Sequence, residues 1–191
     1  MRAFIAIALP AEVRAALAAL QRELARAGAD VKWVEPANLH LTVKFLDEIS
    51  DEQRAGVERV MQRITAGQPA FSIRLDGVGA FPSPDAPRVV WVGCAEGAEA
   101  LTRVAEAIER ETRALGMCSS DRPFAAHLTI GRVRSPRGRR ELSRALQATA
   151  WQAPGPWRAG ALTLYHSVLS SAGPRYTALA EIPLAAVPSA S

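Results

Sequence analysis

The tripeptide His-Leu-Thr occurs twice in this 191-residue chain, once beginning at His40 and once at His127. Each copy follows a helical pattern that closes at a glycine. Gly28 lies 12 residues before His40, and Gly116 lies 11 residues before His127. A further helical pattern follows each copy, so two units share the order strand, helix, strand and helix. This weak internal repeat predicts two related structural halves with a cleft between them.

Hydrophobic spacing and capping signals predict four helices, of which the second opens with the capping box of Ser50 and Gln53. The predicted helices are Val13–Gly28, Ser50–Gly67, Ala98–Gly116 and a fourth that begins at Ser135 and includes Leu142 and Leu146. Runs typical of strands are Phe4–Leu9, Leu39–Leu46, Phe71–Leu75, Val89–Cys94, Phe124–Val133, Leu162–Leu169 and Tyr176–Ile182. The last two strands follow each other, and no glycine-rich phosphate loop follows a strand. These features favour an α+β fold over a doubly wound parallel fold.

Composition indicates a globular protein, with 49% hydrophobic residues and a formal net charge of +4. No apolar run is long enough to span a membrane, since the opening run ends at Glu12. Cys94 and Cys118 lack both a disulfide framework and partners at metal-ligand spacing, so we expect two buried thiols and a cytoplasmic protein.

The two tripeptides predict a phosphate site. On a strand, His40 and Thr42 share one face, while Val43 and Phe45 are expected to point into the core. His127 and Thr129 repeat this arrangement. Two such strands across a cleft would supply an acid, a base and hydroxyl donors for in-line displacement at phosphorus. No cluster of ligands at metal-binding spacing lies beside either histidine, so we expect neither a metal nor a cofactor.

Both tripeptides, together with their flanking segments, resemble the two-histidine phosphoesterase superfamily. Within it, the chain is similar to the bacterial and archaeal RNA 2′,3′-cyclic phosphodiesterases, also called 2′-5′ RNA ligases. The segments that carry this resemblance are residues 2–6, Trp33–Glu48, Gly79–Pro84, Arg88–Gly93, Arg122–Arg132 and Leu164–Ala178. One departure is Ala126, where the family often has proline.

The resemblance implies one bilobal domain over residues 1–191, with an antiparallel sheet flanked by helices in each lobe and both His-x-Thr strands facing a central groove. It also implies hydrolysis of a terminal 2′,3′-cyclic phosphate to a 2′-phosphate, with ligation as a reverse-type reaction. His40 would then be the proton donor to O3′, and His127 the proton acceptor that activates water. Thr42, Thr129 and Arg132 would bind the phosphate. The chemistry alone leaves open which imidazole is the acid.

Arginines and aromatic residues suggest how RNA could be bound. Seven arginines lie between residues 122 and 144 and could attract an RNA backbone. Arg132 would reach the phosphate only if the strand bulges, and Gly131 is where a bulge could occur. Trp33, Phe81 and Tyr165 are candidates for base stacking, whereas His166 lies outside the motif and is expected not to be catalytic.

RNA with a 2′,3′-cyclic phosphate end, such as a tRNA fragment, is therefore the expected partner, and a monomer is the expected state. Two alternatives stay open at this point. One is a noncatalytic RNA-binding module that keeps the groove. The other is a cyclic phosphodiesterase that acts on a small nucleotide.

Overall fold

The computed structural model describes residues 1–117, 119, 122–170 and 173–186. Over these residues the chain forms four α-helices, nine strands and one short 3₁₀ helix at Pro36–Asn38. The helices are α1 (Ala11–Ala25), α2 (Asp51–Gly67), α3 (Ala98–Arg113) and α4 (Arg139–Ala148). The strands are β1 (Arg2–Ile7), β2 (Val31–Trp33), β3 (Leu41–Glu48), β4 (Phe71–Phe81), β5 (Val89–Glu96), β6 (His127–Val133), β7 (Trp157–Ala159), β8 (Ala161–Ser170) and β9 (Gly173–Pro183).

Two antiparallel sheets form the centres of two lobes. The first sheet has the strand order β3-β1-β8-β9, and the second has the order β2-β6-β5-β4-β7. The two His-x-Thr segments therefore belong to different sheets, one at β3 and the other on β6. This arrangement confirms the predicted α+β, bilobal architecture.

The first helix of each sequence half packs on the sheet that contains the other half's His-x-Thr strand. α2 packs on β8 and β9, and α3 packs on β3, so these two helices cover the first sheet. α1 contacts β6 and α4, and α4 contacts β4, so these two cover the second sheet. α1 therefore lies on the sheet of the His127 motif, and α3 lies on the sheet of the His40 motif.

Several boundaries differ from the sequence prediction. Strands β2 and β7 were not predicted, because each is only three residues long. α4 begins at Arg139 rather than Ser135, because Gly138 adopts the left-handed conformation (φ 67°) immediately before it. The Ser50 capping box is present as predicted and begins α2.

Buried side chains from both sheets and all four helices form one hydrophobic cluster. On α1, Leu17, Leu20 and Leu24 are almost completely buried, as the predicted apolar stripe requires. Cys94 is only half-buried, and burial raises the pKa of its thiol to about 11. Cys118 lies outside the described residues. Within the described ranges, no helix has the length and apolar character needed to cross a membrane.

A β-bulge follows each threonine of the two motifs. On β3, Thr42 pairs with Ala6 and Lys44 pairs with Ile5, so Val43 is an extra residue. On β6, Thr129 pairs with Trp91 and Gly131 pairs with Val90, so Ile130 is the extra residue. A bulge of one residue reverses the faces of the residues beyond it.

The reversal on β3 contradicts one prediction. Phe45 was expected to point into the core, but its side chain is 61% exposed, whereas Lys44 is buried. The prediction was wrong because strict alternation fails beyond Val43.

Candidate active site

A groove of about 820 Å³ lies between the two sheets. His40 and Thr42 line it from the first lobe, and His127, Thr129 and Arg132 line it from the second. The five residues that the sequence singled out for catalysis and phosphate binding therefore surround a single groove.

Both imidazoles are held in the same way. His40 Nδ1 lies 2.6 Å from the carbonyl oxygen of Asn38, and His127 Nδ1 lies 2.7 Å from the carbonyl oxygen of Ala125. A carbonyl can only accept, so Nδ1 carries the hydrogen in each ring and donates it. Nε2 of each ring is therefore the nitrogen left to accept or release a proton in the groove.

The surroundings of the two rings differ. Phe4 stacks on His40 with ring centroids 4.6 Å apart, and Tyr176 meets it edge-on at 5.3 Å. Burial lowers the pKa of His40, although the hydrogen bond to Asn38 acts in the opposite direction. His127 has an edge contact with Phe81 at 5.0 Å. Because burial lowers its pKa, protonated His40 is a stronger acid than an ordinary imidazolium.

Arg132 reaches the groove because of the bulge at Ile130. In a regular strand, the fifth residue after His127 would lie on the opposite face. The extra residue is Ile130, one position before the glycine at which the sequence suggested a bulge. Gly131 instead allows a close approach, since a Cβ there would lie 2.8 Å from both Trp33 Cε3 and Val31 Cγ1.

The seven arginines between residues 122 and 144 do not form one patch in the groove. Of these seven, only Arg122 and Arg132 line it. Arg134 pairs with Asp30 at 3.1 Å. The remaining four are Arg137, Arg139, Arg140 and Arg144, and the last three line a separate cavity of about 600 Å³ beside α4. The expected attraction of RNA to the site therefore depends on fewer arginines than their number suggested.

The three aromatic residues proposed for base stacking do not line the groove. Phe81 packs against Trp91 and His127, and Tyr165 stacks on Phe4. Trp33 lies against Gly131. Each of the three therefore has a packing role.

Sequence reasoning missed three aromatic side chains that do line the groove, Phe45, Phe124 and Tyr176. Phe45 lies five residues after His40, as Arg132 lies five residues after His127. Aligning the two units by their histidines would have revealed this equivalence. Tyr176 gives no comparable signal, because β9 reaches His40 only through the pairing of the first sheet.

Acidic and basic side chains from α3 and β3 also line the groove. Lys44 of β3 forms a salt bridge with Glu109 of α3, and Glu106 and Arg113 of α3 lie in the same wall. Nowhere in the described ranges do three or more His, Cys, Asp or Glu side chains group as a metal site would require.

The model of one phosphoesterase family matches the chain twice, over residues 7–91 and 92–176. The chain belongs to the LigT-like phosphoesterase family. The two matches divide the chain between the two predicted units, with His40 in one and His127 in the other. This division confirms the internal repeat.

Relatives and solved structures of the family agree with this assignment. An RNA 2′,3′-cyclic phosphodiesterase of Archaeoglobus fulgidus is 38% identical over 92% of this chain and 96% of its own length. One of Methanothermobacter thermautotrophicus is 34% identical over 93% and 95%. A crystal structure from Thermus thermophilus matches with a TM-score of 0.80 and 31% identity, covering 96% of this chain and 98% of that one. Escherichia coli LigT complexed with 3′-AMP matches with a TM-score of 0.76 and 30% identity, covering 96% and 97%.

Proposed function

We propose that this phosphoesterase hydrolyses the terminal 2′,3′-cyclic phosphate of RNA to a 2′-phosphate. The observation that carries the proposal is the pair of imidazoles, His40 and His127, which line one groove with Nδ1 of each held by a backbone carbonyl. The names of the A. fulgidus and M. thermautotrophicus relatives support RNA as the substrate class. The E. coli LigT structure with 3′-AMP supports a groove that accepts a nucleotide.

The reaction needs one proton acceptor and one proton donor. In our proposal, Nε2 of neutral His127 takes a proton from water as the water oxygen attacks phosphorus. The bond from phosphorus to O3′ breaks, and Nε2–H of His40 gives its proton to O3′. The product carries a 2′-phosphate and a 3′-hydroxyl. Both catalytic protons pass through imidazole nitrogens, so no metal-bound water is required.

Three further side chains would hold the phosphate. Thr42 and Thr129 would donate hydrogen bonds to the non-bridging oxygens, on which negative charge accumulates during the attack. Arg132 would pair with the same oxygens through its guanidinium, whose charge persists throughout the pH range of the enzyme. Burial of His40 favours the donor role, since lowering the pKa of an imidazolium makes it release its proton more readily.

We propose that residues 1–191 act as one domain, since a single hydrophobic cluster joins the two lobes. A monomeric state stays a prediction from the resemblance. We also propose a cytoplasmic protein that acts on RNA ends such as those of tRNA fragments, with 2′-5′ ligation as the reverse-type reaction. The half-buried free thiol of Cys94 is compatible with a reducing compartment.

The test is the position of the phosphate in the product. An oligonucleotide that ends in a 2′,3′-cyclic phosphate is incubated with the protein, and the product is assigned by ³¹P NMR. A 2′-phosphate supports the proposal, whereas a 3′-phosphate contradicts the role of His40 as donor to O3′. Binding without turnover would favour a noncatalytic RNA-binding module. A higher kcat/KM on 2′,3′-cyclic AMP than on the oligonucleotide would favour a small-nucleotide phosphodiesterase.

A further inference from the structure

A buried amide joins the two halves of the sequence at the second bulge. Gln21 of α1 is only 6% exposed. Its Nε2 donates to the carbonyl oxygen of Val34 at 2.7 Å and to that of Ile130 at 2.9 Å. The Ile130 carbonyl also accepts from the backbone N–H of Val34, at 3.0 Å. The amide therefore bridges the segment that follows β2 and the bulged residue of β6.

This bridge lies between residues that line the groove. Ile130 directly follows Thr129 and lies two residues before Arg132, and Val34 itself lines the groove. Burying an amide is unfavourable unless its hydrogen bonds are made, and here both amide hydrogens have carbonyl partners. An apolar side chain would fill the same space but would leave the Val34 and Ile130 carbonyls without this donor.

The equivalent position in the other half also contacts a bulged strand. Gln21 and Glu109 each lie seven residues before the glycine that closes their helical pattern. Glu109 of α3 pairs with Lys44, the residue that follows the bulge at Val43 on β3. In both halves, therefore, the first helix places a polar side chain against the bulge of the other half's His-x-Thr strand.

We propose that Gln21 is a positioning residue for phosphate binding. By holding the Ile130 bulge, it keeps Thr129 and Arg132 on the same side of β6, facing the groove. It touches neither imidazole, so it acts on phosphate affinity and not on proton transfer. This inference rests on the proposed function, in which Arg132 binds the substrate phosphate.

The first test replaces Gln21 with methionine, which has a similar length and volume but no N–H donor. We expect Gln21→Met to raise KM for the cyclic phosphate about 10-fold, because small displacements of binding groups have effects of up to about 100-fold. The kcat should fall by a smaller factor than KM rises, since Arg132 pairs with the phosphate oxygens in the ground state as well as in the transition state. The pH profile of kcat should keep its shape. Isothermal titration with inorganic phosphate should show a matching loss of affinity.

A double-mutant cycle separates positioning from general destabilisation. With Arg132→Ala already present, Gln21→Met should raise KM by a smaller factor than it does in the wild-type background, because Arg132 is gone and only Thr129 is still displaced. Leu146→Ala is the matched control, since it removes a buried side chain from α4 of the same lobe. It should lower the melting temperature and leave KM unchanged.

Additive effects of Gln21→Met and Arg132→Ala, or an equal rise of KM in Leu146→Ala, would overturn the proposal. If Gln21→Met does not fold, Gln21→Asn replaces it, since its shorter side chain cannot reach both carbonyls. A wild-type KM in folded Gln21→Asn would overturn the proposal equally. A wild-type protein that fails to hydrolyse the cyclic phosphate would refute the proposed function, while the phosphate titrations would still decide the role of Gln21.

Discussion

Replacing Gly131 with alanine tests how closely β2 and β6 must approach behind the groove. A Cβ on Gly131 would lie 2.8 Å from Trp33 Cε3 and from Val31 Cγ1, whereas ordinary contacts begin at 3.4 Å. The side chains of Trp33 and Val31, or the strand that carries them, must therefore shift by about 0.6 Å to restore an ordinary contact, which is the difference between these distances. Overpacking of this kind costs about 1–3 kcal/mol. For a chain of this size, that corresponds to a fall in Tm of about 2–12 °C.

Activity should change as well, because Gly131 lies between the bulge residue Ile130 and Arg132. Displacing β6 moves the Arg132 guanidinium away from the phosphate, so KM should rise more than kcat falls. Calorimetry gives Tm, and initial rates on a cyclic phosphate oligonucleotide give KM and kcat. Gly67→Ala is the matched control, since a Cβ there meets nothing within 4 Å and should leave Tm and KM unchanged or slightly raise Tm.

The ring of Trp33 supplies the decisive comparison. In a Trp33→Leu background, the two ring atoms that the new methyl group meets are absent, so Gly131→Ala should lower Tm by less than it does in the wild-type protein. A Gly131→Ala protein with the Tm and KM of wild type would show that the close approach of β2 and β6 has no part in forming the site.

Four further predictions concern the chemistry of the groove. His40→Ala and His127→Ala should each lower kcat by about 10²–10⁴, the range for a general acid or base, and near-full activity in either would refute the assignment. Thr42→Val and Thr129→Val keep the strand shape and should each lower kcat/KM about 10-fold, with unchanged kinetics indicating that the threonines serve only the strands. Hydrolysis should continue in EDTA, and a loss that added divalent ions restore would contradict proton transfer by two imidazoles alone. The profile of kcat/KM against pH should be a bell with one limb below the ordinary histidine pKa of about 6.5, because burial lowers the pKa of His40. Bound phosphate favours imidazolium, so the limbs of the kcat profile should lie at higher pH, and identical profiles would contradict this reasoning.

The repeat and the motif were predictable from sequence because they depend on local order. Helix positions follow from apolar spacing, and the shared face of His40 and Thr42 follows from the two-residue period of a strand. The exposure of Phe45 was not predictable in this way, because it depends on the bulge at Val43, and a bulge is visible only once strands are paired. The packing of α1 on the second sheet could not be predicted either, since helix periodicity shows which face of a helix is buried but not which sheet covers that face.

A duplicated fold supplies two equivalent imidazoles, but in-line displacement needs an acid and a base with different properties. In both His40 and His127, Nδ1 donates a hydrogen bond to the backbone carbonyl two residues before the ring. The difference comes from what packs around them. In the first lobe, Phe4 and Tyr176 pack against the ring of His40. The residue five positions after the histidine also differs, since it is Phe45 in the first lobe and Arg132 in the second. In our proposal, the lobe that presents Arg132 therefore holds the phosphate oxygens, and the lobe with the more enclosed imidazole releases a proton to the leaving oxygen.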